Sequence, residues 1–446
     1  MYSRRNFIKK TALGSAGVAL SGSVMGMSAQ SYRRIIGSNE RLNVAIAGLG
    51  RRLSGFYEPI AMKDSNVRLM YLCDVMESQR INALRNFSKQ IDYRPELEND
   101  IRKVIDDRKV DAIINATPDH WHTPGSIMAL KGGKHVYVEK PSSHNMKENE
   151  LLVEAAQKYG KVVQMGNQQR SSDHTIEIIN EIHKGVIGVP YKAVAFYNNS
   201  RGEVPVQRKA PVPQGLDWEL WQGPALRRDY TEETWDYNWH WYGWNYGTAE
   251  AGNNGTHELD IARWALQVRF PNYAQVEAAK RHFIDDGWQM YDTMEATFKF
   301  PGNKIIQWDG KSRNGYSTYG DGRGTVIYGS EGTVFIDRGK HILYDRNGKL
   351  IKEFRSVTNE AGNTLGGGGD MTTMHVRNFF DAIRGKTELN APVNDANVSM
   401  AMVHYANIAS RIGKGFKIDE VNGRMYDRDA MKLWGREYAP GWEPKL

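Results

Sequence analysis

The stretch LNVAIAGLGRRLSG, residues 42–55, decides how the chain begins to fold. Its first six residues form an apolar run that is typical of a short buried strand. Gly48 and Gly50 follow directly, and glycines at this spacing allow a tight turn in which a pyrophosphate can approach a helix N-terminus. Leu53 stands where the third glycine of a dinucleotide fingerprint is expected, and Gly55 comes two residues late. The turn by itself is therefore a weak signal.

A second apolar run strengthens the interpretation of the glycine turn. Residues 69–73 form this run, and Asp74 ends it 24 residues after Gly50. An acidic side chain at that spacing binds ribose hydroxyls and repels a 2′-phosphate, which predicts NAD as the cofactor. Arg80 lies close by in the sequence and keeps NADP open as the alternative.

Strand and helix patterns then alternate along the chain. Apolar runs at 110–116, 135–138 and 162–165 are separated by helical patterns at 123–131 and 147–159. This alternation predicts a parallel sheet with right-handed crossovers, in which ligands bind at the carboxyl ends of the strands. We therefore predict an α/β protein with an NAD-binding Rossmann domain over residues 31–165 and a second domain over residues 166–446.

Four motifs, in order, give the chain a family resemblance. They are TPDHWH at 117–122, EKP at 139–141, GNQQR at 166–170, and GNNGTH at 252–257 with Asp260. Together they resemble the superfamily of glucose-fructose oxidoreductase, inositol dehydrogenase and MocA. The resemblance implies that the second domain is α/β with a large, open, mostly antiparallel sheet. It also implies that this sheet forms homo-oligomers and that C-terminal helices are candidates for packing back on the first domain.

The resemblance also implies roles for individual residues. Hydride transfer from a secondary alcohol needs a base for the hydroxyl proton and a cation near the developing alkoxide. His257 suits the first role because histidine titrates near neutrality, and Lys140, beside the nicotinamide by resemblance, suits the second. The predicted cofactor-binding residues are Gly48, Gly50, Asp74, Thr117, His120, Glu139 and Gln168. The predicted substrate-binding residues are Asn253, Arg170, Trp239 and Asp260.

Several of these roles have alternatives. Asn253 stands where classical dehydrogenases of the superfamily have an aspartate, and an amide cannot act as a base, although it can bind a sugar hydroxyl. Asp260 either orients the imidazole of His257 or forms a structural salt bridge. Arg170 either binds substrate or closes an ion pair. His120 either contacts the nicotinamide ribose or the substrate, or is a histidine of the turn.

The segment WDYNWHWYGWNY, residues 235–246, contains seven aromatic residues in twelve. Flat apolar faces beside polar groups suit sugar rings, so the segment, with Asp217, Trp218 and Trp221, predicts a carbohydrate platform. The alternative is an aromatic patch that is buried at a subunit interface. The sequence shows no metal-ligand spacing and no Gly-x-Ser-x-Gly element, so we predict no metal site and no serine hydrolase.

The first thirty residues resemble a twin-arginine export signal. The stretch SRRNFIK at 3–9 precedes a weakly apolar region that is rich in Gly, Ala and Ser. The alternative is a basic tail on an ordinary helix. An export signal predicts a partner, the twin-arginine export machinery, and a periplasmic or extracellular location.

The formal charge is +7, but four positive charges lie in the first ten residues, and the remaining +3 gives no reason to expect nucleic-acid binding. Cys73 is the only cysteine, which excludes an intrachain disulfide.

These observations favour an NAD-dependent oxidoreductase that acts on a secondary hydroxyl of a sugar, polyol or sugar derivative. Because exchange of free cofactor is not readily available outside the cytoplasm, we expect tightly bound NAD that is recycled within the site. The first alternative is a glycosidase or lyase that oxidises its substrate transiently and then reduces it again. The second is a non-catalytic sugar-binding protein, against which the pair Lys140 and His257 argues.

Overall fold

The computed structural model describes residues 40–356 and 370–446. The predicted export signal at residues 1–30 lies outside the described residues, as do the glycines at 366–369. None of the helices in the described ranges is both long enough and apolar enough to cross a membrane.

Six parallel strands form the first sheet, in the order β3-β2-β1-β4-β5-β6. The central strand β1 buries five of its six side chains, as expected of a strand that is covered on both faces. The prediction of a Rossmann domain is confirmed. Sequence reasoning missed β3, since three residues with two glutamates carry too little apolar signal. The strands are β1 (Leu42–Ala47), β2 (Val67–Cys73), β3 (Glu96–Glu98), β4 (Ala112–Asn115), β5 (His135–Val138) and β6 (Val163–Met165).

The helices of this domain follow local sequence signals. Helix α5 begins after Asn145, whose side chain accepts a hydrogen bond from the Glu148 amide at 3.0 Å, and it ends at Gly160 in the left-handed region. Helix α4 begins at Asp119, four residues before the predicted start, because Pro118 and an acidic first turn favour a helix N-terminus there. The helices are α1 (Tyr57–Ala61), α2 (Glu77–Phe87), α3 (Ile101–Asp106), α4 (Asp119–Lys131) and α5 (Met146–Tyr159), with short 3-10 turns at Arg51–Phe56 and Lys63–Ser65.

A second, larger sheet has the order β15-β14-β13-β12-β7-β10-β9-β8-β16, with β11 paired to β7. Of its recorded pairings, only β7 with β10 is parallel, which confirms the expected open, mostly antiparallel sheet. The strands are β7 (Pro190–Ser200), β8 (Tyr273–Ala279), β9 (Thr293–Phe300), β10 (Lys304–Lys311), β11 (Arg313–Asn314), β12 (Arg323–Gly329), β13 (Gly332–Ile336), β14 (Lys340–Asp345), β15 (Leu350–Arg355) and β16 (Phe416–Lys417).

Helices cover one face of this sheet and also return to the first domain. Helix α8 buries Leu259 and Ala262 in the core beside the sheet, which positions its first turn near the first domain. Helix α9 places Phe379 and Phe380 in the core of the first domain beside Ile46. The helices are α6 (Asp173–His183), α7 (Trp218–Gln222), α8 (Thr256–Leu266), α9 (Asp370–Ile383), α10 (Val393–Ile412) and α11 (Arg428–Lys432), with 3-10 turns at Gln168–Ser171, Asn238–His240 and Pro301–Asn303.

Candidate active site

A cavity of about 800 Å³ opens at the carboxyl ends of the parallel strands, where an α/β sheet binds its ligands. Its other wall comes from the second domain. Of the residues predicted from the sequence, the following line it: Gly48, Gly50, Asp74, Thr117, Glu139, Lys140, Gln168, Trp239, Asn253 and His257.

The glycine turn at the end of β1 fits a dinucleotide. Gly48 has a φ of +87°, and a Cβ there would lie 2.3 Å from the carbonyl oxygen of Ala116, so only glycine is accommodated. A Cβ on Gly50 would have no neighbour within 4 Å, which leaves open space beside the backbone. Leu53, in place of the third glycine, is buried in the domain core and closes the turn.

Asp74 lies at the end of β2 with both carboxylate oxygens held in place. They accept hydrogen bonds from the amides of Leu49 at 2.7 Å and Met76 at 2.8 Å. Carboxylate oxygens have further lone pairs for ribose hydroxyls. Burial raises the pKa of Asp74, and these two amides and Arg80 oppose that rise. The Arg80 guanidinium donates to the Asp74 carbonyl oxygen at 2.5 Å and does not line the cavity, which favours NAD over NADP.

Glu139 is a buried carboxylate at the centre of a polar network. Arg52 Nε donates to its Oε1 at 2.8 Å, and Gln168 Nε2 donates to the same oxygen at 3.0 Å. Burial is the largest single effect and opposes ionisation, but the charge and hydrogen bond of Arg52, together with Lys140 and His122, outweigh it and lower the pKa of Glu139. Sequence reasoning missed Arg52; the dibasic pair Arg51-Arg52 directly after the glycine turn was the available signal.

Lys140 points from the EKP motif into the cavity. Its Nζ donates to the carbonyl oxygen of Asn253 at 2.5 Å and to Asn253 Oδ1 at 3.2 Å. Burial lowers the pKa of Lys140 to about 8, against the opposing charges of Asp119 and Glu139. The ammonium form therefore still predominates at neutral pH, within reach of a proton exchange.

A π-helical turn at Ala251–Gly255 leads into α8 and brings Asn253 and His257 to the cavity. Such turns occur frequently at functional sites. Burial lowers the pKa of His257 well below 6.5, and the cations of Arg338 and Lys140 lower it further. The imidazole is therefore neutral at pH 7 and has a lone pair that can accept a proton.

Three of the residues predicted to bind cofactor or substrate do not line the cavity; of the predicted platform residues outside 235–246, Trp221 lines it and Asp217 and Trp218 do not. Arg170 and Asp260 form a buried two-bond ion pair, at 2.7 and 2.8 Å, and Arg170 also contacts Asp395 at 3.1 Å. This geometry corrects the predicted substrate-binding role of both residues in favour of the salt-bridge alternative, because their charges already satisfy each other. His120 is buried against Trp221, with Nε2 at 2.9 Å from the Trp221 carbonyl oxygen, and it does not line the cavity. The structure therefore does not bring His120 to the cavity, and it favours the alternative in which His120 is a structural histidine of the turn.

The aromatic segment at 235–246 divides between the cavity and the core. Trp235, Tyr237, Trp239 and His240 line the cavity, and the rings of Trp239 and His240 stack at 3.6 Å. The other rings of the segment do not line the cavity; Trp241 and Tyr242 are buried in the core, where Trp241 stacks on Trp288 at 3.9 Å. One end of the cavity thus offers flat apolar faces.

Three further polar residues on this wall were missed by sequence reasoning. Asn199 and Arg201 come from the end of β7, and Arg338 comes from the turn between β13 and β14. Nothing in the local sequence marks these positions, since only the pairing order of the large sheet brings them to the cavity.

Comparison with known families agrees with this geometry. Residues 42–167 match the family described as "Oxidoreductase family, NAD-binding Rossmann fold", and residues 179–442 match "Oxidoreductase family, C-terminal alpha/beta domain". The chain belongs to the Gfo/Idh/MocA oxidoreductase family. The fold and the NAD-binding domain predicted from its sequence are confirmed.

Individual relatives match only part of the chain, at 29% identity or less. An inositol 2-dehydrogenase of Salmonella typhimurium is 29% identical over 151 residues, which cover 33% of this chain and 44% of the relative. A glycosyl hydrolase family 109 protein of Saccharopolyspora erythraea is 27% identical over 216 residues, covering 45% and 47% respectively. The chain thus matches under half the length of these curated relatives. An Agrobacterium radiobacter oxidoreductase, solved with NAD+, L-tartaric acid and magnesium, shares the fold, with a TM-score of 0.64, 15% identity, and coverage of 84% of this chain and 98% of that one.

Proposed function

We propose that this enzyme oxidises a secondary hydroxyl of a sugar, polyol or sugar derivative. The main support for the proposal is that one cavity is lined by the glycine turn at Gly48, the ammonium of Lys140, the neutral imidazole of His257 and the aromatic residues around Trp239. The names of the relatives support the substrate class, since one is an inositol dehydrogenase and another a glycosyl hydrolase.

The residues divide the chemistry between them. Gly48, Gly50 and Asp74 hold NAD, which supplies the hydride acceptor when bound. His257, as a neutral imidazole, accepts the hydroxyl proton of the substrate. Lys140 donates a hydrogen bond to the same oxygen and stabilises the negative charge that develops there.

Asn253 positions Lys140 and leaves the proton transfer to other groups. Its carbonyl and side-chain oxygens both accept from the lysine ammonium, which fixes the direction of the cation. An amide cannot take up a proton, so the base must be one of its neighbours, and His257 lies one helical turn along the chain. Trp239 and the rings beside it would contact the C–H faces of a sugar.

We further propose that the protein is exported through the twin-arginine pathway to the periplasm or beyond, functions as a homo-oligomer, and keeps its cofactor bound through turnover. The support is the SRRNFIK motif at 3–9, because a protein that is exported folded can carry its cofactor with it. A dehydrogenase without access to free cofactor must reduce one molecule for each that it oxidises.

The experiment is a sugar panel with protein purified from its export compartment. We expect NAD(H) in the supernatant after denaturation, and paired oxidation and reduction of two added sugars with no net change in nicotinamide absorbance. Steady release of NADH into solution would contradict the recycling proposal and leave a plain dehydrogenase. Absence of nicotinamide nucleotide, with no binding of added NAD and no turnover of any sugar, would contradict the function itself.

A second candidate is glycoside cleavage through transient oxidation of a ring hydroxyl, elimination of the glycosidic substituent, addition of water and re-reduction. The observation that favours it is the match to glycosyl hydrolase family 109 proteins, together with Asn253 at the place of the usual aspartate. Release of an aglycone at constant cofactor state, in the same panel extended to aryl glycosides, would favour this candidate. Oxidised sugar that accumulates without bond cleavage would exclude it.

A further inference from the structure

Arg338 occupies a rigid position on the wall of the cavity that the second domain provides. It lies in the tight turn between β13 and β14, where Asp337 Oδ1 accepts from the amides of Gly339 at 2.7 Å and Lys340 at 2.8 Å. His174 Nε2 lies 3.1 Å from the Arg338 carbonyl oxygen. Because the backbone is held on both sides, the guanidinium is presented to the cavity from a fixed base.

The charge of Arg338 is not matched by a partner. Across residues 40–356 and 370–446 its guanidinium forms no hydrogen bond and no ion pair, whereas its cationic neighbours are paired. Arg52 lies 2.8 Å from Glu139, and Arg323 lies 2.7 Å from Glu258. Burial lowers the pKa of Arg338 to about 9, Arg323 adds to the effect, and Glu258, which is already paired with Arg323, opposes it. A desolvated cation without a counter-ion is costly, and a ligand that brings the opposite charge removes that cost.

The position of this cation assigns it to the substrate rather than to the cofactor. The ribose and pyrophosphate of NAD belong at Asp74 and the glycine turn, on the first domain. Arg338 instead acts on His257, where it is the charged group with the largest effect on the histidine pKa, after burial. Both residues line the same cavity, and His257 is the proposed base for the substrate hydroxyl. Arg201, on the same wall, is 3.4 Å from Glu250 and is already neutralised.

We infer that Arg338 binds an oxyanion on the substrate, so that the enzyme acts on an acidic sugar derivative. The shared chemistry is a carboxylate, sulfate or phosphate group, whose oxygens match the planar fork of a guanidinium. The inference rests on the proposed function, because it assigns the substrate class of the same site.

The experiment compares matched neutral and acidic sugars. Glucose is paired with glucuronate, glucose sulfate and glucose phosphate, and kcat/KM is measured for wild type, Arg338→Met and Arg338→Lys. A hydrogen bond to a charged group corresponds to a preference of about 10- to 150-fold, which we expect for at least one acidic member with wild type. Arg338→Met should remove this preference, measured as the ratio of kcat/KM on the acidic sugar to kcat/KM on neutral glucose, because an effect of Arg338 on His257 changes both values alike and cancels in the ratio. Arg338→Lys should restore part of the preference. Whichever acidic sugar is preferred over glucose identifies the bound group as a carboxylate, a sulfate or a phosphate.

The control is Lys340→Met, which removes a positive charge from the same turn. Lys340 is paired with Asp321 at 2.7 Å, outside the cavity, so the preference should remain. Equal kcat/KM for neutral and acidic sugars with wild type would overturn the inference. A proportional loss on both in Arg338→Met would also overturn it, since it would show that Arg338 serves the histidine or the fold.

Binding separates this inference from the proposed function. Calorimetric titration of the NAD-loaded protein with the same sugars needs no turnover. If acidic sugars bind selectively, lose that selectivity in Arg338→Met and are never oxidised, the anion site stands and the proposed function fails. If neutral sugars are oxidised and acidic ones neither bind nor react better, the function stands and the anion site fails.

Discussion

Replacing Arg170 by methionine should destabilise the protein without changing its affinity for substrate. The guanidinium contacts Asp260 through two atoms, at 2.7 and 2.8 Å, and the two side chains are only 6% and 2% exposed. Removing Arg170 leaves the buried Asp260 carboxylate without its ion pair and, among the described residues, with only the Ser399 hydroxyl as a hydrogen-bond donor, at 2.5 Å. Breaking a buried ion pair in this way costs about 3–5 kcal/mol of unfolding free energy. For a folded unit of residues 42–446, the usual unfolding entropy per residue converts that cost into a decrease in Tm of about 4–6 °C.

The assay is differential scanning calorimetry of the cofactor-loaded protein, combined with a measurement of KM for the sugar that has the highest kcat/KM in the panel. Lys209→Met is the matched control, because Lys209 and Asp229 form a pair whose side chains are 77% and 73% exposed, and its Tm should not change. The double variant Arg170→Met with Asp260→Leu should recover much of the lost stability, since no buried charge is then left alone. An unchanged Tm with a KM raised tenfold or more would refute the reasoning and return Arg170 to the substrate site.

Three further predictions concern the cavity itself. Lys140→Ala and His257→Ala should each lower kcat by about 10²–10⁴-fold at unchanged Tm, and near-full turnover of His257→Ala would show that another group is the base. The rate of oxidation should fall as pH rises through about 8, because the Lys140 ammonium deprotonates there, and Lys140→Arg should move that limb to higher pH. Gly50→Val should weaken NAD binding in a fluorescence titration and leave the Tm of the cofactor-free protein unchanged, since the added side chain enters open space. Gly48→Ala should weaken NAD binding and should also lower the Tm of the cofactor-free protein, because the added Cβ would lie 2.3 Å from the carbonyl oxygen of Ala116.

The amino-acid sequence determined the first domain and the reacting groups. Strand β1, the glycine turn and Asp74 are recognisable locally, because buried parallel strands are continuous apolar runs and because a positive φ at Gly48 requires glycine. Lys140 and His257 could be chosen in advance because each lies in a short motif that resembles a motif of the family. Both line the cavity as predicted.

Only the tertiary structure decided which charges face the substrate. Arg170 and Asp260 are 90 residues apart in the chain, and no periodicity shows that they neutralise each other. No sequence motif marks Arg338 as a site residue. It lines the cavity because β13 pairs with β14 and β12 pairs with β7 in the large sheet. The physical reason is that local patterns fix backbone conformation and the buried face of an element. The partner of an ionised side chain depends on long-range register and on helix packing against the sheet.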